Sequence, residues 1–224
     1  MSKSTEIIPA ILPADFSEIE EKIVYVQGFV KNVQVDICDG QFTPQPTWPY
    51  RKHDDTFEKI KKEEEGMPGW KELNYEFDLM VNKPEEVVDD WVQAGASRII
   101  LHFEARGGVE KAIEMLAGRA EIGLALDMNT DLHVAEKFRD KIQFIQLMGI
   151  DNVGFQHQSF DEKVLGRVKE ARILYPGMPI SVDGGVSLEN AEALIDAGAD
   201  RLVVGSAIFA SDNPVEAVEK FKRF

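Results

Sequence analysis

The chain has 224 residues, 44% of them hydrophobic, which is enough to bury the core of one large α/β domain. Its formal net charge of -15 argues against nucleic acid or an anionic membrane surface as a partner, because both select for basic patches. Cys38 is the only cysteine, so an intrachain disulfide and a cysteine-based zinc site are excluded. With no long apolar run and a polar start at Met1–Glu6, we expect a cytoplasmic protein.

Short apolar segments alternate with amphipathic segments from end to end, which is typical of repeated βα units. Eight strands are predicted, over Ile7–Leu12, Val33–Ile37, Asn74–Met80, Arg98–His102, Ile122–Leu126, Phe144–Met148, Ile180–Val182 and Leu202–Val204. The helices between them are predicted over Phe16–Gly28, Pro84–Ala94, Gly108–Ala117, Leu132–Phe138, Asp161–Tyr175, Leu188–Ala197 and Pro214–Phe221. Eight units with short connections favour a single (β/α)8 TIM barrel domain; an open eight-stranded sheet is the alternative.

The connection between the second and third strands, residues 39–72, is longer than the others. It begins with a segment rich in proline and aromatic residues, Phe42–Tyr50, and continues into a charged helix predicted over Thr56–Glu65. A long loop on the catalytic face of a barrel is a usual place for a lid or a subunit contact. A rigid connector packed over the barrel mouth is the other interpretation.

Two glycine turns follow the last two strands. Because the carboxyl ends of neighbouring parallel strands meet at one edge, Gly184 and Gly185 should lie beside Gly205 and Ser206. Glycines without a Cβ let a phosphate approach the peptide N–H groups, and a short helix after Ser206 would point its positive end at the anion. The pattern predicts a phosphate-binding site.

Three aspartates lie near strand ends at the same edge: Asp36, Asp78 and Asp183. Buried carboxylates are costly unless they are compensated, so this set predicts a bound cation, a shared proton or hydrogen-bonding partners. Carboxylates in such a position are candidates for general acid and base.

Several segments, in the same order along nearly the whole chain, resemble ribulose-phosphate 3-epimerases. They are Ile8–Phe16, Val35–Pro44, Asp78–Val81, Leu101–Ala105, Ser181–Gly185 and Gly205–Phe209. The resemblance implies a phosphate-binding TIM barrel and an isomerase that inverts C3 of a phosphorylated ketose through an ene-diolate. It also implies a homo-oligomer.

By the same resemblance, Asp36 and Asp183 are the catalytic acid and base and also ligands of a metal. The family's other two ligands are histidines, and Gln34 and Asp78 stand in their places. A glutamine with three carboxylates is an all-oxygen set that suits magnesium, manganese or another hard cation better than zinc. The alternative is a metal-free site in which one carboxyl keeps a proton beside an ionised base.

The resemblance extends to the substrate pocket and to a third phosphate-binding loop. Residues predicted to line the pocket are Ala10, Cys38, Met80 and Met148. Met80 and Met148 match the family's methionines, whereas Ala10 and Cys38 stand where the family usually has a serine and a methionine. Gly154 matches the family's phosphate loop, but Gln156 and His157 replace two of its glycines. His102 and Glu104 match family residues, and we expect them to make structural hydrogen bonds near the rim.

An epimerase-type isomerase acting on a phosphorylated sugar is therefore the predicted function. The alternative is a divergent phosphosugar-binding barrel, either a binding or regulatory protein or a lyase acting on another sugar phosphate. The Asp-x-Lys-x-x-Asp pattern of the related decarboxylases is missing, because the third strand reads Phe77-Asp78-Leu79-Met80-Val81.

Overall fold

A computed structural model describes residues 5–52, 54–151, 153–154 and 160–224. Eight parallel strands close into a barrel in chain order, with β8 paired to β1, and this confirms the predicted TIM barrel. The strands are β1 (Glu6–Ile11), β2 (Asn32–Cys38), β3 (Asn74–Met80), β4 (Ala96–His102), β5 (Glu121–Leu126), β6 (Phe144–Met148), β7 (Ile180–Asp183) and β8 (Arg201–Val204).

The helices cover the outside of the barrel and bury their apolar faces against the strands. They are α1 (Phe16–Val26), α2 (Thr56–Lys61), α3 (Val88–Gln93), α4 (Val109–Leu116), α5 (Lys163–Leu174), α6 (Leu188–Ala197), α7 (Ser206–Phe209) and α8 (Pro214–Phe221). Two short 3₁₀ helices cover Pro84–Glu86 and Leu132–Phe138.

Three helices differ from their predicted form. The helix predicted over Pro84–Ala94 is divided, because Val87 leaves the helical region at φ -124° between the 3₁₀ turn and α3. The charged helix predicted over Thr56–Glu65 ends at Lys61, and Glu63 then takes a left-handed φ of 61°. The segment Leu132–Phe138 is a 3₁₀ helix along its whole length.

The long connection after β2 packs on the barrel through aromatic side chains. Trp48 is buried, and its ring lies 5.4 Å from that of Phe57 and 6.0 Å from that of Trp91. Its backbone N–H donates to the Pro13 carbonyl at 3.0 Å. This part of the connection is therefore anchored to its own barrel, whereas Tyr50 is 40% exposed.

A cluster of charged side chains closes the amino-terminal end of the barrel. Arg98 donates through Nη1 to Glu76 Oε2 at 3.1 Å and to Glu6 Oε1 at 3.2 Å, and through Nε to Glu121 Oε2 at 2.9 Å. Burial raises the pKa of Glu76 to about 7, although the charge of Arg98 opposes this rise. The cluster compensates a carboxylate that would otherwise be unpaired in the barrel interior.

No helix among the described residues is long and apolar enough to cross a membrane.

We predict that Arg98→Leu destabilises the fold by about 3–5 kcal/mol at pH 8, because it leaves Glu76 buried without its partner. Folding raises the pKa of Glu76 from its ordinary 4.5 to about 7, so the free energy of unfolding falls as the pH increases across this range. The loss in the variant should therefore be smaller at pH 5. Urea unfolding at both pH values measures it.

Arg119→Leu is the matched control, since Arg119 pairs with the exposed Asp89 on the surface. It should cost less than about 1 kcal/mol. Equal losses in the two variants would contradict the role of the buried cluster.

Candidate active site at the carboxyl end of the barrel

Strand register brings the three predicted aspartates together. Asp36 and Asp78 are direct partners across β2 and β3, and Asp183 is the last residue of β7. One carboxylate oxygen from each lies within 4.8 Å of the others. The three acids therefore form one cluster at the carboxyl end of the strands.

Two buried glutamines join these carboxylates. Gln34 Nε2 donates to Asp36 Oδ1 and to Asp183 Oδ2, both at 2.7 Å. Gln146 Nε2, from β6, donates to Asp78 Oδ2 at 3.0 Å and to Asp183 Oδ2 at 3.3 Å. Each amide thus connects two acids, and both amides meet at the same oxygen of Asp183.

His102, at the end of β4, supports the cluster from the other side. Its Nε2 lies 3.0 Å from Asp78 Oδ1, and the imidazole is buried under the ring of Phe42 at a centroid distance of 5.1 Å. Burial alone would lower the pKa of His102, but the Asp78 and Asp127 carboxylates outweigh it and raise the pKa to about 10. At neutral pH the imidazolium offsets part of the negative charge.

The electrostatics separate the predicted acid and base from ordinary carboxylates. Burial, with the charge of Asp78 added, raises the pKa of Asp183 to about 7, although the Gln34 hydrogen bond opposes this rise. Burial and the charges of Asp183 and Asp78 raise the pKa of Asp36 well above its usual range. A proton can therefore stay on this pair at neutral pH while the other carboxylate is ionised.

The donor set also fits a hard divalent cation. The carbonyl oxygens of Gln34 and Gln146 are buried, and no hydrogen-bond donor reaches them among the described residues. The three carboxylates supply the oxygen ligands that magnesium and manganese prefer. Gln34 and Gln146 turn their Nε2 atoms toward these carboxylates, so a glutamine carbonyl would reach a cation there only after its amide turned over. The residues predicted as metal ligands are thus brought together, and the imidazole that contacts them lies behind Asp78.

A cavity of about 600 Å³, counted with its open mouth, lies directly above this cluster. Asp36, Asp183, Ala10, Met80 and Met148 line it. Cys38 does not: it is fully buried at the end of β2, with Sγ 3.9 Å from Met80 Sδ and its N–H donating to Thr47 Oγ1 at 2.8 Å. Gln34 and Asp78 lie beneath the lining residues.

All five residues predicted to hold phosphate line the same cavity: Gly154, Gly184, Gly185, Gly205 and Ser206. The φ angles of Gly184 and Gly185 are 103° and 69°, a region that favours glycine, and a Cβ at Gly185 would lie 2.8 Å from the Phe160 Cα. Asn190 Nδ2 donates to the Gly185 carbonyl at 2.9 Å and so ties this turn to α6. Residues 155–159, which include Gln156 and His157, lie outside the described part of the chain.

Sequence reasoning missed Gln146 and the packing of Gly149. Gln146 is the one polar residue in β6, and its neighbours Ile145 and Leu147 pack in the core outside the barrel. Because side chains alternate along a strand, this pattern predicts that Gln146 points into the barrel interior. Gly149 has no such signal, since its need for glycine comes from another loop: a Cβ there would lie 2.3 Å from the Gly184 carbonyl oxygen.

The fold and the cavity define a class: an α/β barrel that joins buried carboxylates to a glycine-lined cavity at the carboxyl ends of its strands. The sequence profile described as "Ribulose-phosphate 3 epimerase family" matches residues 6–209. The chain belongs to this family, and the predicted resemblance is confirmed.

Individual relatives agree over nearly the full length. The chain is 31% identical to a ribulose-phosphate 3-epimerase of Schizosaccharomyces pombe, covering 95% of this chain and 90% of that protein. It is 32% identical to the enzyme of that name from Synechocystis, covering 97% and 93%. The predicted class of enzyme, an epimerase-type isomerase, is thereby confirmed.

Solved structures of other enzymes share the fold. The chain aligns with KGPDC from Streptococcus mutans at a TM-score of 0.69 and 16% identity, covering 98% of this chain and 96% of that one. The 3-hexulose-6-phosphate synthase from Salmonella typhimurium aligns at a TM-score of 0.72 and 14% identity, covering 97% of each chain. At these identities the likeness shows the barrel architecture alone.

We predict that Asp183→Asn raises the stability of the metal-stripped protein at pH 8. An Asp183 carboxyl whose pKa rises from 3.8 to about 7 in the folded state loses stability as the pH increases across that range, whereas the amide does not titrate. The advantage of the variant should vanish near pH 4 and reach roughly 1–4 kcal/mol at pH 8. Urea unfolding across this range measures it.

Asp131→Asn, an exposed carboxylate that caps the 3₁₀ helix at residue 132, is the control for removing one negative charge. It should give no gain at pH 8. A loss of stability in Asp183→Asn at pH 8 would contradict the electrostatic account of the cluster.

Proposed function

We propose that this chain interconverts ribulose 5-phosphate and xylulose 5-phosphate, with Asp36 and Asp183 as the two acid/base groups. The observation that carries the proposal is that both carboxyls line the glycine-rich cavity and share one hydrogen-bond donor, Gln34. Burial and the neighbouring carboxylates raise the pKa values of both. The family and its named relatives support the reaction class.

The ionised member of the pair removes the proton from C3 of the substrate, and the electron pair of the C–H bond moves into an ene-diolate with negative charge on the C2 oxygen. The protonated member then delivers its proton to C3 from the opposite face, so the product differs only in configuration. A pKa near 7 suits Asp183 for this exchange, because neither protonation state is strongly preferred at neutral pH.

Asp36, Asp183, Asp78 and Gln34 are the residues that would hold a divalent cation, and such a cation would supply positive charge for the ene-diolate oxygens. Magnesium or manganese fits this oxygen set better than zinc. The positions of these acids are set by Gln34, Gln146 and His102.

The phosphate group of the substrate would lie against the turns at Gly184–Gly185 and Gly205–Ser206, with Gly154 at the edge. Backbone without Cβ atoms leaves space for the anion, which a chain of net charge -15 must bind locally. We further propose a cytoplasmic homo-oligomer, in which the exposed part of Phe42–Tyr50 takes part in a subunit contact.

The alternatives are less well supported. A binding protein has no need for two cavity carboxyls whose pKa values are both raised by burial and by neighbouring carboxylates. A lyase is supported by fold similarity alone, whereas the relatives at about 30% identity are named epimerases.

We predict that Asp36→Asn and Asp183→Asn each lower kcat by at least ~1,000-fold, because each removes one of two obligatory proton carriers. Conversion of ribulose 5-phosphate is measured on metal-stripped protein and after adding magnesium, manganese, cobalt or zinc. Manganese or magnesium should restore more activity than zinc. Absence of turnover in the wild-type chain with every metal would overturn the proposed function.

We predict that Gly205→Ala raises KM by roughly tenfold and leaves kcat within about threefold, because a methyl group would occupy the phosphate position rather than the reacting carbon. The nearest atom to that Cβ is the Ala10 carbonyl oxygen at 3.4 Å, so the fold can accept it. Competitive inhibition by inorganic phosphate should weaken in parallel. Gly166→Ala on α5, whose Cβ would meet nothing within 4 Å, is the control.

A further inference from the structure

A second group of potential ligand atoms lies beside the active site, at the end of β4 and on the loops that follow β4 and β5. It consists of His102, Glu104 and Asp127, and one atom from each lies within 4.8 Å of the other two. None of these atoms belongs to the cluster of Asp36, Asp78 and Asp183, which His102 contacts through its other nitrogen.

Each of the three side chains has a buried atom without a hydrogen-bond partner among the described residues. These atoms are His102 Nδ1, Glu104 Oε2 and Asp127 Oδ1. Buried polar atoms without hydrogen bonds are costly, so a ligand bound among these side chains would stabilise them. His102 Nδ1 and Asp127 Oδ1 are 3.9 Å apart, which is too far for a hydrogen bond. Two bonds of about 2.1 Å to one ion span at most about 4.2 Å, so one cation can still reach both atoms.

The second polar atom of His102 and of Glu104 is already fixed by other contacts, which holds their free atoms in place. His102 Nε2 contacts Asp78 Oδ1 at 3.0 Å. Glu104 Oε1 accepts hydrogen bonds from the Asp127 N–H at 2.9 Å and from the Thr130 hydroxyl. An imidazole whose other nitrogen is held by a carboxylate is the usual arrangement of a metal-binding histidine.

The nearby guanidinium of Arg167 attracts the Glu104 and Asp127 carboxylates through space but does not contact them directly. Arg167 Nη2 donates to the backbone carbonyls of Asp127 and Thr130, at 3.0 and 2.8 Å, and forms no ion pair with Glu104 or Asp127 among the described residues. The side chain of Asp127 is 34% exposed, which gives a cation access from solvent.

We propose that His102 Nδ1, Glu104 Oε2 and Asp127 Oδ1 form a second divalent cation site, distinct from the Asp36–Asp78–Asp183 cluster. One imidazole nitrogen with two carboxylate oxygens suits manganese or zinc, and water would complete the coordination. The site is joined to the reaction centre through His102 and Asp78.

The test uses the full chain in the Asp36→Asn background, which weakens the first cluster, with free Mn²⁺ measured by electron paramagnetic resonance. We expect one bound Mn²⁺ per chain at this site, and a ten- to hundred-fold weaker affinity after Glu104→Gln or Asp127→Asn. Both substitutions keep the shape of the side chain. Anomalous scattering from a Mn²⁺-soaked crystal should give a peak between His102 and Asp127.

Asp131→Asn, four residues from Asp127 and exposed, is the control for the loss of one charge and should bind Mn²⁺ as the background does. Circular dichroism and thermal unfolding establish that each variant is folded. No binding of Mn²⁺ at millimolar concentration in the Asp36→Asn background would overturn the proposal, as would binding unaffected by both Glu104→Gln and Asp127→Asn. This test measures Mn²⁺ binding and not turnover, so its outcome does not depend on whether the chain has epimerase activity.

Discussion

The structure depends on one electrostatic constraint: Asp36, Asp78 and Asp183 are held within 4.8 Å of one another in the mouth of a barrel. Coulomb repulsion and burial both oppose this arrangement, and the raised pKa values of Asp36 and Asp183 record the cost. Two glutamine amides and one imidazole offset it. The same cost keeps a proton available at neutral pH, which is what a two-base proton transfer requires.

The barrel provides the stiffness that this cluster needs. Parallel register makes Asp36 and Asp78 direct neighbours, and β7 ends at Asp183, so rigid strands position all three carboxyls. At the opposite end, Arg98 joins Glu6, Glu76 and Glu121. The interior thus carries charge at both ends, and the carboxyl end opens into a cavity with glycine turns.

Much of the fold could be predicted from local sequence signals. The helices Leu188–Ala197 and Pro214–Phe221 have the predicted bounds because capping residues, Ser187 and Asn213, precede them. The break at Val87 had no such signal. At the site, strand ends identified the three aspartates, whereas the roles of Gln146 and His102 depend on partners from other strands, which spacing along the chain does not reveal.

The replacements at positions 34 and 78 make physical sense only together with their neighbours. The resemblance places histidines at both positions, and an aspartate at 78 adds a negative charge to an already acidic cluster. His102 lies against that aspartate and carries a proton at neutral pH, so the positive charge is supplied from β4. Gln34 and Gln146 supply the remaining donors. The altered centre therefore keeps its acids oriented and partly neutralised, which is an arrangement that random loss of a metal site would not be expected to produce.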